Sequence, residues 1–379
     1  MVNRLSSDLN INDRWVLDRL SAWARCESPS SDAAAVNRMH DLVLADVAGV
    51  AGIAVERIAG RDGIGDIIVL RSGRQAGGGT LLLGHVDTVH PLGTAAGKLP
   101  VRQEGDLLYG PGLYDMKGGV LCAILALIDH ARRGCDAPVT CLLSPDEEIG
   151  SPTTRALIET LAIGRARALV LEPARTGGAA VTARKGVGWF DVAIEGIPAH
   201  AGTHHADGHS AIREACRQIP LLEQLTDYAR GTTVSVGEIS GGSAKNVIPG
   251  ECTFSVDIRV TSAAEAMRVE ESLAALQVVD QRTTMRRSGG FNRPPYEKTA
   301  GTQALFAEAV MLAQPLGIDL HDVPMVGGGS DGNFTAALGI PTLDGLGVEG
   351  GGAHTWQEHC LISSVLPRAA LVAALCDCG

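Results

Sequence analysis

Short apolar segments that alternate with amphipathic ones are the feature that most constrains this chain. Strand-like runs, such as residues 80–83 and 168–171, are separated by segments with helical spacing of apolar residues, such as 117–131. Parallel strands require a long connection, which a helix usually supplies. The pattern therefore predicts an α/β domain with a mostly parallel central sheet and helices on both faces.

The pattern changes near residue 180. Strand and helix patterns now follow the order β-α-β-β-α-β, which is that of a ferredoxin-like unit. The segments are 187–195, 210–225, 232–239, 252–260, 263–276 and a weaker strand at 281–287. Residues 289–295 resemble a linker, and helix–strand alternation resumes after them. We therefore predict one α/β domain, residues 1–180 and 290–379, interrupted by a smaller domain at residues 181–289.

Composition excludes several classes of protein. A hydrophobic content of 45% excludes a disordered or fibrous chain, and a net charge of −11 argues against nucleic-acid binding. No uncharged apolar run approaches the roughly 18 residues of a membrane span, and the first residues lack an apolar signal segment. The nine cysteines are odd in number and lack CxxC spacing, which is typical of reduced thiols. We expect a cytoplasmic protein.

Candidate metal ligands follow the predicted strands of the α/β domain. His85 ends one strand, Asp115 lies on a glycine-rich turn before a helix, and His354 follows a run of glycines. Glu148 and Glu172 each come directly after a further strand. Each of them has an ordinary explanation when taken alone, such as a helix cap or a solvated carboxylate. Four of them, His85, Asp115, Glu148 and Glu172, follow predicted strands, and this shared position favours a ligand site, because such sites form at the carboxyl ends of strands.

Two imidazoles and three carboxylates suit a pair of divalent ions about 3.5–4 Å apart that share one carboxylate. Nitrogen and oxygen ligands without cysteine favour zinc, with manganese or cobalt as alternatives. Asp87 points to the same face of the strand as His85 and can orient its imidazole. Glu147 and Glu148 suit divided roles, in which one binds metal and the other accepts a proton from water. The predicted chemistry is metal-assisted hydrolysis.

Three motifs, residues 84–89, 110–119 and 146–150, resemble one family. It is the co-catalytic zinc metallopeptidase family of acetylornithine deacetylase, succinyl-diaminopimelate desuccinylase, aminoacylase and bacterial glutamate carboxypeptidase. The resemblance covers nearly the whole chain, and Glu172 within Leu-Glu-Pro is most similar to the glutamate carboxypeptidase branch. It implies a zinc-peptidase-like catalytic domain and cleavage of an amide bond.

The resemblance also implies ligand roles for the strand-end residues. Asp115 would bridge two zinc ions in each subunit. His85 and Glu172 would complete one metal site, and Glu148 and His354 would complete the other.

Further roles follow from the same resemblance. Glu147 would be the general base, Asp87 would orient His85, and a cis peptide would follow Asp115. The inserted domain would act as a lid and mediate homodimerisation. His200 of one subunit would then reach the active site of the other and stabilise the oxyanion.

Several residues resemble substrate-contacting positions of the family. Arg259 could hold a substrate carboxylate with two parallel hydrogen bonds. Arg293 and Lys185 are candidates for a second carboxylate, with a solvated surface role as the alternative for both. The remaining candidates are Asn246, Gly328 and Gly329. The other histidines of the motif-bearing regions are expected on the surface: His90, His204, His205, His209 and His359.

The predicted function is that of a carboxypeptidase. It would release a C-terminal amino acid, with glutamate as a candidate, from a small peptide or an N-acyl conjugate. An N-acyl-amino-acid deacylase with the same centre is the alternative. A third hypothesis is that the chain is a non-catalytic binding protein that has kept the fold.

Overall fold

The computed structural model describes residues 2–74 and 77–377 of the chain, in which helices and strands follow the apolar pattern of the sequence. The helices are α1 Val2–Leu9, α2 Asp13–Arg25, α3 Ala33–Val47, α4 Gly118–Arg132, α5 Arg155–Ala162, α6 Ala211–Glu223, α7 Ala263–Ala275, α8 Ala300–Ala313, α9 Gly332–Ala337 and α10 Val365–Asp377. The strands are β1 Ala54–Ile58, β2 Ile67–Ser72, β3 Thr80–His85, β4 Arg102–Glu104, β5 Leu107–Tyr109, β6 Val139–Ser144, β7 Arg167–Val170, β8 Ala180–Val181, β9 Gly186–Glu195, β10 Thr233–Gly241, β11 Glu251–Val260, β12 Thr284–Arg293, β13 Asp322–Val323, β14 Thr342–Leu343, β15 Gly350–Gly351 and β16 His359–Leu361.

The chain forms two compact units. The first unit comprises Met1–Ala183, Lys298–Val326 and Ser330–Gly379, and the second comprises Arg184–Glu297 with Gly327–Gly329. The predicted boundary at residue 290 falls inside strand β12, so the prediction of a linker at residues 289–295 was wrong.

One of the glycines that suggested a linker, Gly289, serves a close approach between strands. Gly289 has a φ of +100°, and a Cβ on it would lie 2.1 Å from the carbonyl oxygen of Trp189 in the neighbouring strand β9. Only glycine fits such a position without strain. Glycine is often found where a strand ends, but at position 289 it is required within strand β12.

A six-stranded sheet organises the first unit. Its strand order is β1-β2-β6-β3-β7-β14. Strands β6, β3, β7 and β14 are parallel, whereas β2 is antiparallel to both of its neighbours. The predicted α/β fold with a mostly parallel sheet is confirmed.

Both faces of this sheet are covered by helices. Ile68 and Leu82 belong to a hydrophobic core that includes side chains of α4 and α10. Their chain neighbours Ile67 and Leu81 point the other way and pack into a second core with α5 and Phe334 of α9. Because successive side chains of a strand alternate between faces, continuously apolar strands are expected where both faces are buried.

The second unit has the predicted β-α-β-β-α-β order, from β9 through α6, β10, β11 and α7 to β12. Its antiparallel sheet has the strand order β10-β11-β9-β12. Residues Phe254, Val256 and Ile258 of β11 are buried on one face and pack with side chains of α6 and α7. The alternating pattern of β11 therefore reflects a sheet with one covered face.

None of the helices in the described residues is both long and apolar enough to cross a membrane. The cysteines of this part of the chain are free thiols: Cys26, Cys122, Cys135, Cys141, Cys216, Cys252, Cys360 and Cys376.

His40 on α3 should make stability depend on pH. Its side chain is fully buried, and neither ring nitrogen has a hydrogen-bond partner among the described residues. Burial, and next the charge of Arg57, lower its pKa to about 4, against weaker opposing effects of Asp66 and Asp87. Between pH of about 6.5 and about 4 the unfolded chain therefore binds a proton at His40 that the folded chain does not bind.

The free energy of unfolding should accordingly fall as the pH is lowered through this range. The contribution of His40 is about 1.4 kcal/mol per pH unit, or about 3 kcal/mol in total. Urea denaturation across this range should show a shallower pH dependence for His40→Leu than for the wild type. The same substitution at His204, whose side chain is 68% exposed, is the control. Parallel curves for the wild type and His40→Leu would contradict the expectation.

Candidate metal centre

His85 is the last residue of β3, and its side chain is only 1% exposed. Its Nδ1 lies 2.9 Å from the carbonyl oxygen of Asp87. Because a carbonyl oxygen can only accept, Nδ1 carries the hydrogen, and Nε2 offers a lone pair. The main chain after the strand thus fixes the imidazole in the tautomer that a metal ligand requires.

Asp115 lies in a distorted turn, Leu113–Lys117, that leads into α4, and its peptide bond to Met116 is cis as predicted. Its Oδ1 lies 3.2 Å from Nε2 of His85, and its Oδ2 lies 3.3 Å from Nε2 of His354. Burial alone would raise the pKa of Asp115, but the contacts with His354 and His85 outweigh it and lower that pKa strongly. Each carboxylate oxygen therefore faces a different imidazole.

Two further carboxylates complete the group. Glu172, just after β7, lies 3.6 Å from Nε2 of His85, and Glu148, after β6, lies 3.2 Å from Nε2 of His354. The contacts with Asp115 and then Glu148 raise the pKa of His354 to about 11. The structure thus brings together the five side chains that the sequence analysis proposed as ligands.

Glu147 stands beside this group. It begins a short turn, Glu147–Ile149, directly after β6. One of its carboxylate oxygens lies within 4.8 Å of both a ring nitrogen of His85 and a carboxylate oxygen of Glu172. The adjacent residues Glu147 and Glu148 therefore place one carboxylate near His85 and one near His354.

Asp87 does more than the sequence suggested. Its carboxylate lies 3.4 Å from Nδ1 of His85, farther away than its own carbonyl oxygen. The carboxylate instead accepts hydrogen bonds from the backbone N–H groups of Glu147 and Glu148, at 3.2 and 3.1 Å, and from the Ser30 hydroxyl at 2.7 Å. The fully buried Asp87 thus connects the strand end of His85 to the two glutamates after β6.

Glu358 is a residue that the sequence analysis missed. Its carboxylate is 1% exposed and accepts hydrogen bonds from the backbone N–H groups of Gly112, Tyr114 and Asp115, at 3.0, 2.9 and 2.9 Å. Its Oε2 also lies 2.7 Å from Nε2 of His90. This one side chain therefore holds the turn that carries Asp115. A glutamate in a loop has no sequence pattern that would have revealed this.

The residues fit divalent metal. Three carboxylates converge on two imidazoles, and burial followed by the charge of Asp115 raises the pKa of Glu148. The buried Oε1 of Glu148 has no hydrogen-bond partner among the described residues. Buried acidic oxygens of this kind require a cation or a donor. Nitrogen and oxygen donors without sulfur are typical ligands of zinc and similar ions.

His200 lies in the second unit, in an exposed loop. Its Nδ1 accepts hydrogen bonds from the backbone N–H groups of Gly202 and Thr203, both at 3.1 Å. With Nδ1 as the acceptor, the hydrogen of the neutral ring is on Nε2. The loop therefore presents a hydrogen-bond donor. Asn246 is also exposed, and its backbone carbonyl oxygen accepts a hydrogen bond from the backbone N–H of Ala201.

Arg259 is partly committed within the second unit. Its Nε and Nη2 each donate to the carboxylate of Asp257 at 2.8 Å, and its Nη1 lies 3.4 Å from the carbonyl oxygen of Gly327. The edge of the guanidinium formed by Nε and Nη2 is thus occupied by Asp257. The edge with Nη1 and Nη2 is the one left for a ligand.

The other predicted substrate-contacting residues differ in their burial and in how closely they are packed. Arg293 is 4% exposed, so the alternative of a solvated surface role was wrong for it. A Cβ on Gly329 would lie 2.8 Å from Cδ of Arg293, whereas one on Gly328 would meet nothing within 4 Å. Lys185 donates to the carbonyl oxygen of Gly231. Close packing therefore explains the glycine at position 329 and not the one at 328.

The prediction that the remaining histidines are surface residues holds for some of them. His204 and His205 are exposed, and His359 is partly exposed. His90 is 3% exposed and is bound to Glu358, so the prediction was wrong there. The side chain of His209 is also partly exposed, at 17%, and its Nδ1 lies 2.7 Å from the Asp280 carboxylate.

Comparison with known families and sequences gives consistent matches. The model of peptidase family M20/M25/M40 matches residues 81–377. Carboxypeptidase G2 of a Pseudomonas species is 30% identical over 322 residues, which cover 82% of this chain and 76% of that protein. Acetylornithine deacetylase of Myxococcus xanthus is 34% identical over 244 residues, which cover 60% of this chain and 63% of that protein.

Solved structures share the fold. The aminopeptidase PepT of Bacillus cereus has a TM-score of 0.75 at 20% identity, with 97% of this chain and 98% of that chain covered. An M20 family metallo-carboxypeptidase of Sulfolobus solfataricus has a TM-score of 0.71 at 14% identity, with 96% and 98% covered.

Proposed function

This chain belongs to peptidase family M20/M25/M40 and is a metal-dependent hydrolase, and we propose that it is a two-zinc carboxypeptidase. The substrate would be a peptide or an N-acyl conjugate, from which a C-terminal amino acid is released, with glutamate as the candidate. The observation that carries the proposal is the position of Asp115, whose two oxygens lie 3.2 and 3.3 Å from two different imidazoles. A carboxylate in this position suits two ions that share one ligand.

The proposed ligands follow from these contacts. Asp115 would bridge the ions, His85 and Glu172 would complete one site, and Glu148 and His354 would complete the other. Zinc is the proposed ion, with manganese or cobalt as alternatives. Bound ions would supply polarisation of the amide carbonyl and a lower pKa of water, near about 7.

The chain's own residues would position and move protons. Glu147, which lies close to His85 and Glu172, would accept a proton from the attacking water and pass it to the departing amine. Asp87 would hold the imidazole of His85 in a fixed position relative to the backbone of Glu147 and Glu148. Its contacts with all three residues support this role.

Recognition of a C-terminal carboxylate is proposed for Arg259. Asp257 holds its Nε and Nη2 at 2.8 Å, which orients the guanidinium and restricts its motion. An oriented guanidinium loses little conformational entropy when it binds a carboxylate. The similarity to carboxypeptidase G2 supports the same reaction. Other proposed substrate contacts are Asn246, Arg293, Lys185, Gly328 and Gly329.

A second candidate function is hydrolysis of N-acyl amino acids. It is supported by the match to acetylornithine deacetylase, at 34% identity over 244 residues. The same metal centre would serve both reactions, and the difference would lie in the residues that bind the two sides of the amide bond.

Relative rates would separate the two candidates. The purified enzyme, loaded with zinc, should hydrolyse N-acyl-glutamate and small dipeptides with acidic C-termini faster than N-acetylornithine. A preference for N-acetylornithine would favour the deacylase. An absence of activity on every substrate with an acidic C-terminal residue would refute the preference for glutamate.

We also propose that the second unit mediates a homodimer in the cytoplasm, with His200 acting on the active site of the other subunit. The Nε2–H that the loop presents supports a role in stabilising an oxyanion. His200→Ala should lower kcat by about 10²–10³-fold, the cost of losing one oxyanion donor, and should leave the metal content unchanged.

Mixed dimers test whether this action crosses subunits. Chains with His200→Ala and chains with Glu148→Gln should regain activity when they are combined, because one site of the mixed dimer then has both residues intact. His205→Ala, another exposed histidine of the same region, is the control and should keep full activity. A mixture without restored activity would mean that His200 acts within its own chain or has no catalytic role.

A further inference from the structure

A third group of potential metal ligands lies at the opposite end of α4 from Asp115. A ring nitrogen of His130, the Sγ of Cys135 and a carboxylate oxygen of Asp377 all lie within 4.8 Å of one another. His130 is in the last turn of α4, and Asp377 is the last residue of α10. At 1.5 Å per residue, His130 is about 18 Å along the helix from Gly118, so this group is separate from the centre around Asp115.

The imidazole of His130 has one buried ring nitrogen that is not bound to another group in the described part of the chain. Its side chain is fully buried, its Nδ1 lies 3.0 Å from the Ser72 hydroxyl, and its Nε2 has no hydrogen-bond partner among the described residues. A buried nitrogen without a partner costs free energy. If the Ser72 hydroxyl accepts the Nδ1 hydrogen, a lone pair remains on Nε2, as in metal-bound histidines whose other nitrogen is held by a neighbour.

The charges around the group suit a divalent cation. Arg133 donates from Nη2 to Oδ1 of Asp377 at 2.7 Å and from Nε to Oδ2 of Asp129 at 2.8 Å. This orients the Asp377 carboxylate and leaves its Oδ2 for a ligand. The Sγ of Cys135 lies 3.9 Å from Oδ1 of Asp377. A bound metal ion would displace the thiol proton, and the thiolate, Asp377 and Asp129 would then face a single guanidinium. A divalent ion would balance the remaining charge.

We propose that His130, Cys135 and Asp377 form a further metal site, of the type that binds zinc. One imidazole nitrogen, one thiolate and one carboxylate are three of the four ligands of a tetrahedral zinc site, and water can supply the fourth. Cys135 and Asp377 are 242 residues apart in the sequence. The ion would therefore fasten the end of α10 to the loop after α4. This site does not depend on the proposed hydrolytic function.

Cobalt provides a selective probe, because the proposed ligands of the hydrolytic centre contain no sulfur. We would titrate the full-length, metal-free protein with Co²⁺ and record the thiolate-to-cobalt charge-transfer absorption in the near ultraviolet. In the wild type this absorption should rise until one cobalt ion per chain is bound to the thiolate, and it should then stay constant. Cys135→Ser should lack it, and Cys216→Ser, which changes an exposed cysteine of the second unit, should retain it.

Two milder variants identify the other members of the site. Asp377→Asn changes an exposed position at the end of α10 and should shift the titration to higher cobalt without unfolding the protein. Ser72→Ala should weaken binding by about 10–100-fold, as is typical for a residue that orients a ligand. The proposal is overturned if the wild type shows no charge-transfer absorption, if Cys135→Ser retains it, or if Cys216→Ser loses it.

Discussion

Glu147→Gln should lower kcat by about 10²–10⁴-fold while the protein keeps its full metal content, because the substitution removes a proton acceptor and not a ligand. The amide has nearly the shape of the carboxylate, and so the packing around Asp87 and Glu172 should be preserved. Steady-state kinetics combined with elemental analysis of the same preparation measures both quantities.

Glu148→Gln is the matched control for this prediction. It is the neighbouring residue, and its Oε2 lies 3.2 Å from Nε2 of His354, so its substitution should lower metal content as well as activity. The two variants together separate proton transfer from metal binding. Normal turnover of Glu147→Gln would exclude Glu147 as the base, and loss of metal from it would make Glu147 a ligand.

Glu358→Ala should destabilise the protein by at least about 3 kcal/mol. The substitution leaves the buried backbone N–H groups of Gly112, Tyr114 and Asp115 without an acceptor, and each such group costs about 1–3 kcal/mol. Because these donors belong to the turn that carries Asp115, metal affinity should fall as well. Urea denaturation and metal titration would measure the two effects.

Glu358→Gln and Glu104→Ala are useful comparisons. Glutamine keeps one acceptor oxygen, so its effect should be intermediate between those of the wild type and Glu358→Ala. Glu104 has a side chain that is 56% exposed, and its removal should change stability by less than about 0.5 kcal/mol. Equal stability of Glu358→Ala and the wild type would show that water replaces the carboxylate without loss.

Local patterns in the sequence were sufficient for the architecture and for the candidate ligands. Strand and helix periodicity indicated the parallel sheet. The rule that ligands gather at the carboxyl ends of strands related four side chains before their distances were known: His85, Asp115, Glu148 and Glu172. The cis peptide after Asp115 followed from the resemblance to the family and not from any local pattern. The order of elements in the second unit was also readable, because each element has its own period.

Contacts between distant segments were not readable in the same way. Glu358 binds backbone groups that lie 243–246 residues earlier in the chain, and nothing in its own neighbourhood marks it as buried. His90 was assigned to the surface for the same reason. Gly289 suggested a linker, although its role depends on the carbonyl of Trp189 in another strand.

The sequence by itself therefore determined which types of side chain are available and on which strand ends they lie, since these depend on local periodicity. The tertiary structure alone decided that Asp115 faces two imidazoles, that Asp87 binds the backbone of the two glutamates, and that His130 meets Asp377. The physical reason is that such contacts arise when segments far apart in the chain pack together. The sequence around a hydrogen-bond acceptor does not show which donor will bind it in the folded protein.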